Sequence, residues 1–128
     1  MAKVSAFEVW ESPDGQARFC FSHSDGVFTT GVLILQPGCE LPKHNRPLAI
    51  ESLVQLSGRS VIKLLDAEGV LDFERTLLPA DGIAMEKGQW HIHANPFDVE
   101  STTMFKADGN ITDIVAELRR TYTEIVVE

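Results

Sequence analysis

The segment GCELPKHNRPLAIESLVQLSG, residues 38–58, decides how this chain folds. Glycines stand at both of its ends, His44 lies in a loop that contains two prolines, and Glu51 begins the apolar run that follows the loop. Residues two or four apart on a strand share a face, so Glu51 and Gln55 are expected to point the same way. The segment therefore predicts a loop that carries an imidazole and a strand that carries an inward carboxylate.

A second segment, GQWHIHAN at residues 88–95, repeats this chemistry later in the chain. His91 and His93 are two residues apart in a short run, so they share one face of a predicted strand. Trp90 alternates away from that face, and we expect it to pack elsewhere, on the outside of the fold or at a subunit contact. Two imidazole-bearing segments and one carboxylate are thus available to meet inside a single core.

Outward from these segments, the chain consists of short apolar runs separated by turn residues. Runs of this length with a turn about every dozen residues indicate antiparallel β structure. Closing the sheet into a barrel or a double-sheet jelly roll removes exposed strand edges, so a closed form is favoured. The predicted turns are at residues 12–15, 22–26, 37–38, 57–58, 66–69 and 79–82.

The C-terminal part has a different pattern. Its apolar residues have the spacing of one helix face, which predicts a helix over about 110–122. Asn110 followed by Asp113 resembles a capping box, with Asn110 as the N-cap. We expect this helix to pack on the outside of the β domain. The apolar positions are Ile111, Ile114, Val115, Leu118 and Tyr122.

Length and composition are those of one ordinary globular domain, which we place at residues 1–128. The chain is 44% hydrophobic and 23% charged, with a formal net charge of −8. An anion of this size repels phosphate backbones and anionic lipid surfaces, which argues against nucleic-acid and membrane partners. No signal-like apolar stretch opens the sequence and two cysteines do not form a disulfide framework, so a cytoplasmic location is expected.

The residue types alone are compatible with one kind of site. Two imidazoles and a carboxylate are ligands suited to Fe, Mn, Zn or Ni as divalent ions. His44, Glu51 and His91 are the predicted ligands, and such a triad leaves coordination positions open, as catalysis requires. The competing interpretation is that each residue is an ordinary surface or hydrogen-bonded side chain, because sequence alone does not show that these strands meet.

Both segments resemble the two motifs of the cupin superfamily. The first motif is G-x5-H-x-H-x3–4-E-x6-G, and Gly38, His44, Arg46, Glu51 and Gly58 reproduce its spacing. The second is G-x5-P-x-G-x2-H-x3-N, and its matching residues here are Gly88, His91 and Asn95. The resemblance covers nearly half of the chain, with residues 60–78 as the hairpin between the motifs. It implies an all-β fold, a double-stranded β-helix (jelly-roll or cupin barrel), with the C-terminal helix added.

The departures from these motifs bear on the metal. Arg46 replaces the second histidine of the first motif, and a guanidinium cannot ligate a metal ion. Ala80 and Glu86 replace a glycine and a proline of the second motif, which affects a turn and should be tolerated. Three arrangements follow: a triad of His44, Glu51 and His91; the same set with His93 as a fourth ligand; or a metal-free pocket in which Arg46 pairs with Glu51.

The functional prediction is a small cupin-type barrel that binds a divalent transition metal and a small polar or anionic metabolite. Arg46, His93 and Gln55 are the expected substrate-binding residues, and Arg46 would orient an anionic group through a bidentate contact. The resemblance covers proteins of many activities, so no reaction is assigned. The alternative is a metal-free module that binds or senses a small ligand without catalysis. We also expect a homodimer, since strand candidates near the N-terminus offer exposed edges.

Overall fold

The computed structural model describes residues 7–126, which form ten strands and one helix in chain order. The prediction of an all-β fold with a C-terminal helix is confirmed. The elements are β1 (Glu8–Glu11), β2 (Ala17–Ser24), β3 (Phe28–Leu35), β4 (Ala49–Ser57), β5 (Ser60–Leu65), β6 (Leu71–Leu77), β7 (Gly82–Met85), β8 (His91–Ala94), β9 (Ser101–Gly109), α1 (Thr112–Thr121) and β10 (Thr123–Ile125).

The strands form two antiparallel sheets. The larger has the order β10-β1-β2-β3-β9-β4-β7, and the smaller has the order β6-β5-β8. Strands β3, β4 and β9 alternate between buried and more exposed residues, as expected when one face of a sheet covers a core. This alternation turns Glu51 and Gln55 inward from β4, beside the buried Ala49 and Leu53.

The interior has an apolar part and a polar part. Aromatic and aliphatic side chains fill the space between the sheets, and Phe19, Phe21 and Phe105 contact one another with ring centres about 6.0–6.1 Å apart. Close packing of this kind supplies most of the free energy that holds a small β domain together. The buried histidines of β8 line the same interior, so the candidate site lies inside the core.

Two turn positions show how the chain meets its backbone requirements. Ala80 has a φ of 75°, a left-handed conformation that favours glycine, at the position where the second motif has glycine. The replacement therefore holds the alanine in a strained conformation. Gly109 has a φ of 143°, and a Cβ there would lie 2.0 Å from the carbonyl oxygen of Leu48, so only glycine fits between β9 and the helix.

The start of the helix differs from the prediction. Helix α1 begins at Thr112, and the N-cap position is taken by Ile111, whose side chain makes no capping hydrogen bond. Asn110 instead accepts hydrogen bonds from the backbone N and the Oγ1 of Thr112, at 3.0 and 2.7 Å. This local turn uses the Asn110 side chain before the helix starts, so the predicted N-cap was wrong. The predicted apolar face does point inward, with Ile111 and Val115 buried.

After the helix, β10 returns to pair with β1, through the register Val9↔Ile125 and Trp10↔Glu124. The sequence analysis did not predict this strand. It covers the edge of β1 on which the expectation of a dimer through N-terminal edges depended. Within residues 7–126, the longest helix has ten residues and is neither long nor apolar enough to cross a bilayer.

Candidate metal centre

The loop before β4 is tied to the start of β8 by backbone hydrogen bonds. The N–H of His44 donates to the carbonyl oxygen of His91 at 3.0 Å, and the N–H of His91 donates to the carbonyl oxygen of His44 at 2.9 Å. The N–H of Gly88 donates to the carbonyl oxygen of Arg46 at 3.0 Å, which extends the connection. This isolated antiparallel bridge sets the two imidazoles side by side, with ring centres 4.1 Å apart.

Four side chains converge at this bridge. One ligand atom from each of His44, Glu51, His91 and His93 lies within 4.8 Å of every other. Glu51 spans the group, because its Oε2 lies 3.0 Å from Nε2 of His91 and its Oε1 lies 3.5 Å from Nε2 of His93. The structure therefore brings all three predicted ligands together and adds His93 to them.

Hydrogen bonds at the outer ring nitrogens fix which nitrogen faces the cluster. Nδ1 of His91 lies 2.9 Å from the carbonyl oxygen of Gln89, and Nδ1 of His44 lies 3.1 Å from that of Pro42. A carbonyl oxygen only accepts, so each Nδ1 carries the proton and each Nε2 presents a lone pair to the interior. This is the arrangement in which backbone carbonyls orient metal-ligating histidines.

Three buried polar atoms in the cluster have no hydrogen-bond partner: Nε2 of His44, Nε2 of His91 and Oε2 of Glu51. The 3.0 Å contact between Glu51 and His91 is short enough for a hydrogen bond but is not aligned as one. Buried polar atoms without partners are rare and costly, at about 1–3 kcal/mol each. Lone pairs that converge in this way fit a cation between them.

Burial and local charge act on the protonation of the residues in the cluster. Burial, reinforced by the charge of Arg46, lowers the pKa of His44 to about 2. Burial also lowers the pKa of His93, although Glu51 opposes that change. Burial alone would raise the pKa of Glu51, but the hydrogen bonds and positive charge that His91 and His93 supply when protonated outweigh burial and lower it well below its ordinary value. At neutral pH the carboxylate of Glu51 is therefore anionic, and the imidazoles of His44 and His93 are neutral.

No protein-family model matches the sequence, and a search of curated proteins finds no match. Solved structures do match. The cupin domain of Cnp3 from Schizosaccharomyces pombe is 13% identical with a TM-score of 0.64, and the match covers 79% of this chain and 70% of that one. A double-stranded β-helix protein from Klebsiella pneumoniae is 15% identical with a TM-score of 0.67, covering 79% and 84%.

The chain has the cupin fold. This confirms the predicted jelly-roll (double-stranded β-helix) architecture and the resemblance drawn from the two motifs. An oxalate oxidase in complex with glycolate is also similar, at 18% identity and a TM-score of 0.58 over 64% of this chain. The present chain spans 42% of the length of that oxalate oxidase.

The geometry of the cluster can accommodate a metal ion. Ligand atoms around one Zn²⁺ are about 2.0–2.2 Å from it, so two of them lie at most about 4.4 Å apart. The four candidate atoms lie within 4.8 Å of one another, so an ion bound by all four requires the side chains to rotate inward from these positions. Three imidazole nitrogens and one carboxylate oxygen form a donor set suited to divalent transition metals.

Arg46 lines the cavity beside the cluster but does not pair with Glu51. Within residues 7–126 its guanidinium makes one hydrogen bond, from Nη1 to the carbonyl oxygen of Asn45 at 3.3 Å, and no ion pair. Burial lowers the pKa of Arg46, while the carboxylates of Glu51 and Asp113 oppose that change. The metal-free arrangement with an ion pair between Arg46 and Glu51 is therefore not what the structure shows, and most guanidinium donors are uncommitted.

Two of the expected substrate-binding residues occupy other places. His93 lies in the cluster itself, since the second oxygen of Glu51 reaches it. Gln55 is buried away from the cavity, where it donates to the carbonyl oxygen of Ser57 and the hydroxyl of Ser101 and accepts from Ser60 and Thr103. Its amide is fully used in this polar network, so Gln55 stabilises the fold and is not part of the site.

Helix α1 forms a wall of the site, which the sequence analysis did not predict. The cavity beside the cluster has a volume of about 30 Å³ and is lined mainly by apolar side chains. Phe19, Phe21 and Phe105 come from the large sheet. The apolar face of α1, with Ile114 and Leu118, covers the opposite side. The helix thus packs over the mouth of the barrel rather than on its outer surface.

Proposed function

We propose that this cupin binds one divalent transition metal ion, Fe, Mn, Zn or Ni, and holds a small polar or anionic ligand beside it. The ion would be bound by His44, Glu51, His91 and His93. The observation that carries the proposal is the convergence of three partnerless buried atoms, Nε2 of His44, Nε2 of His91 and Oε2 of Glu51, on one point. Three buried lone pairs without donors are costly unless a cation satisfies them.

The residues around the cluster support a ligand beside the ion. When bound, a divalent ion supplies Lewis-acid polarisation of a ligand oxygen or activation of a water molecule. Arg46 supplies free N–H donors on the cavity side, and a guanidinium binds carboxylates in a bidentate manner. The apolar walls formed by Phe19, Phe21 and Phe105 exclude water, which strengthens each polar contact inside the cavity.

The alternative function is a metal-free module that binds a small organic ligand. The observation in its favour is Arg46, a permanent cation at a position where the cupin motif has a metal-ligating histidine. A binder of that type would take an anion directly on Arg46, and metal would add nothing to its stability.

A metal titration followed by thermal unfolding separates the two functions. We expect stabilisation to saturate at one ion per chain, because metal binds the assembled site and not the unfolded chain. His44→Ala and His91→Ala should abolish the effect, and Arg46→His should tighten binding by replacing a cation with a neutral imidazole. His23→Ala is the control, since His23 lies at the surface with Asp25 as its partner. No stabilisation by any of the four metals, with acetate binding retained, would favour the metal-free module.

A homodimer of single-domain chains is part of the same proposal. Ile50, Leu56 and Met104 are between 43% and 47% exposed and lie on the strands of the large sheet, β4 and β9, so a second copy can bury apolar surface there. Sedimentation velocity at high concentration should give twice the mass of 14.2 kDa. A single species at the monomer mass would contradict this part.

A further inference from the structure

A groove outside the cavity has no role in the function proposed above. It lies between the loop before β4, the indole of Trp90 and the N-terminal half of α1, and its volume is about 400 Å³. Its walls differ in chemistry: Lys43, Asn45 and Arg46 are on one side, and Asp113 and Glu117 are on the helix side. Glu117 is already paired with Arg120.

The groove and the inner cavity share walls. His44, Arg46 and Ile114 line both spaces, so these three side chains stand between the groove and the inner cavity, and His44 also belongs to the metal cluster. Arg46 is thus in reach of a group in either space. A ligand that lies in the groove needs to pass only this one layer of side chains to reach the cluster.

The two volumes determine which part of a ligand fits where. A water molecule needs about 10–15 Å³ of cavity measured in this way. The inner cavity, at about 30 Å³, therefore admits about two water-sized groups, which is the size of the two oxygens of a carboxylate. The body of any larger ligand has to lie in the groove.

Trp90 determines the kind of body that fits. It is 39% exposed, and it lines the groove on the outer side of the fold. Its backbone is fixed, because its carbonyl oxygen accepts hydrogen bonds from the N–H of Leu65 and from Nε2 of Gln89, both at 2.9 Å. A half-exposed indole on a fixed backbone favours a planar ring that stacks against it. Nζ of Lys43 lies over the Trp90 ring, 5.8 Å from its centre, so a stacked ring takes the other face of the indole or displaces this flexible side chain.

We propose that the groove is a second subsite, and that the ligand of this cupin is an aryl carboxylate. Its carboxylate enters the inner cavity between Arg46 and the metal cluster, and its ring stacks on Trp90 in the groove. The inference rests on the proposed function, since it uses the same metal cluster and the same arginine. It adds the chemical class of the ligand and a residue, Trp90, that selects it.

Calorimetric titration of the zinc-loaded protein with three carboxylates tests the subsite. Benzoate should bind about three- to tenfold more tightly than cyclohexanecarboxylate, because stacking adds to simple burial, and acetate should bind most weakly. Trp90→Ala should remove the preference for benzoate and leave the affinities for acetate and zinc unchanged. Phe73→Ala is the matched control, since Phe73 is an aromatic residue on β6 with 51% exposure, outside the groove.

Fluorescence gives a second readout that does not depend on activity. The chain has two tryptophans, so Trp10→Phe leaves Trp90 as the only indole emitter. Benzoate should then quench or shift the Trp90 emission at concentrations that match its calorimetric affinity, and acetate should not.

The possible failures are distinguishable. If zinc and acetate bind but benzoate has no advantage, or if Trp90→Ala keeps that advantage, the subsite is overturned and the proposed function stands. If zinc binds and no carboxylate does, the subsite and the role of Arg46 are both overturned. If zinc does not bind, the proposed function fails and the inference fails with it.

Discussion

Replacing Glu51 by Gln tests the electrostatics of the cluster directly. Glutamine has the shape of glutamate, but its amide nitrogen donates hydrogen bonds and it carries no charge. In the metal-free protein, Oε2 of Glu51 and Nε2 of His91 lie 3.0 Å apart with no hydrogen-bond partner for either. An amide N–H at that place can donate to the lone pair of His91. We therefore expect Glu51→Gln to stabilise the metal-free protein.

The size of the effect follows from the contacts. A buried polar atom without a partner costs about 1–3 kcal/mol, so pairing this one contact should raise the free energy of unfolding by about 2 kcal/mol. Unfolding entropy of about 2.1 cal/mol/K per residue converts that gain to a rise in Tm of roughly 7 °C for a chain of 128 residues.

Metal should reverse the order of stability of the wild type and Glu51→Gln. At a metal concentration of about 1,000 Kd the wild type gains about 4.1 kcal/mol, while a variant that binds about 100-fold more weakly gains only about 1.4 kcal/mol. The free energy of unfolding of Glu51→Gln is then about 2 kcal/mol higher than that of the wild type without metal and about 0.7 kcal/mol lower with metal.

Scanning calorimetry with and without a chelator measures both differences. Glu74→Gln is the control, since Glu74 is an exposed glutamate on β6. A metal-free Glu51→Gln protein that is less stable than the wild type would refute the reasoning, because it would mean that the Glu51 charge is already well paired without metal.

Three further predictions concern stability. Ala80→Gly should raise the free energy of unfolding by about 0.5–1 kcal/mol in urea titrations, because it relieves a positive φ of 75°; a loss would show that Ala80 is unstrained. Gln55→Leu should lower the free energy of unfolding by about 2–3 kcal/mol in the same assay, because four groups lose the amide they hydrogen-bond to, and it should leave the metal stoichiometry unchanged. A loss of metal binding would show that Gln55 contributes to the site. The free energy of unfolding of the metal-free protein should fall as pH drops below about 6.5, because the unfolded chain takes up a proton on His44 there while the pKa of His44 in the folded protein is about 2. His44→Gln should reduce the slope of unfolding free energy against pH by up to about 1.4 kcal/mol per pH unit. An unchanged slope would show that His44 titrates normally.

The fold could be predicted because its two motifs are local patterns. The spacing of His44, Glu51 and His91, with glycines at the turns, depends on strand periodicity, and periodicity can be read from a sequence. Closure into a barrel then follows from the need to remove exposed edges.

The predictions that differ from the structure have a common physical cause: residues that share one face of a strand or helix can still lie far apart. Gln55 shares the inward face of Glu51, but four residues of strand separate them by roughly 13 Å, and Gln55 enters a different polar network. His93 was expected to contact the substrate, and only one of the three predicted arrangements placed it in the cluster, where the second carboxylate oxygen of Glu51 reaches it. The helix periodicity gave the inward face of α1 but not the cavity that this face covers.

The most direct test of the account is the metal content of the protein. The chain should be purified without an affinity metal or a chelator, dialysed, and measured by inductively coupled plasma mass spectrometry together with His91→Ala and Glu74→Gln. The account predicts close to one divalent transition metal ion per chain in the wild type and in Glu74→Gln, and almost none in His91→Ala. A wild-type protein that carries no metal, and takes up none when Fe, Mn, Zn or Ni is supplied at neutral pH, would contradict it.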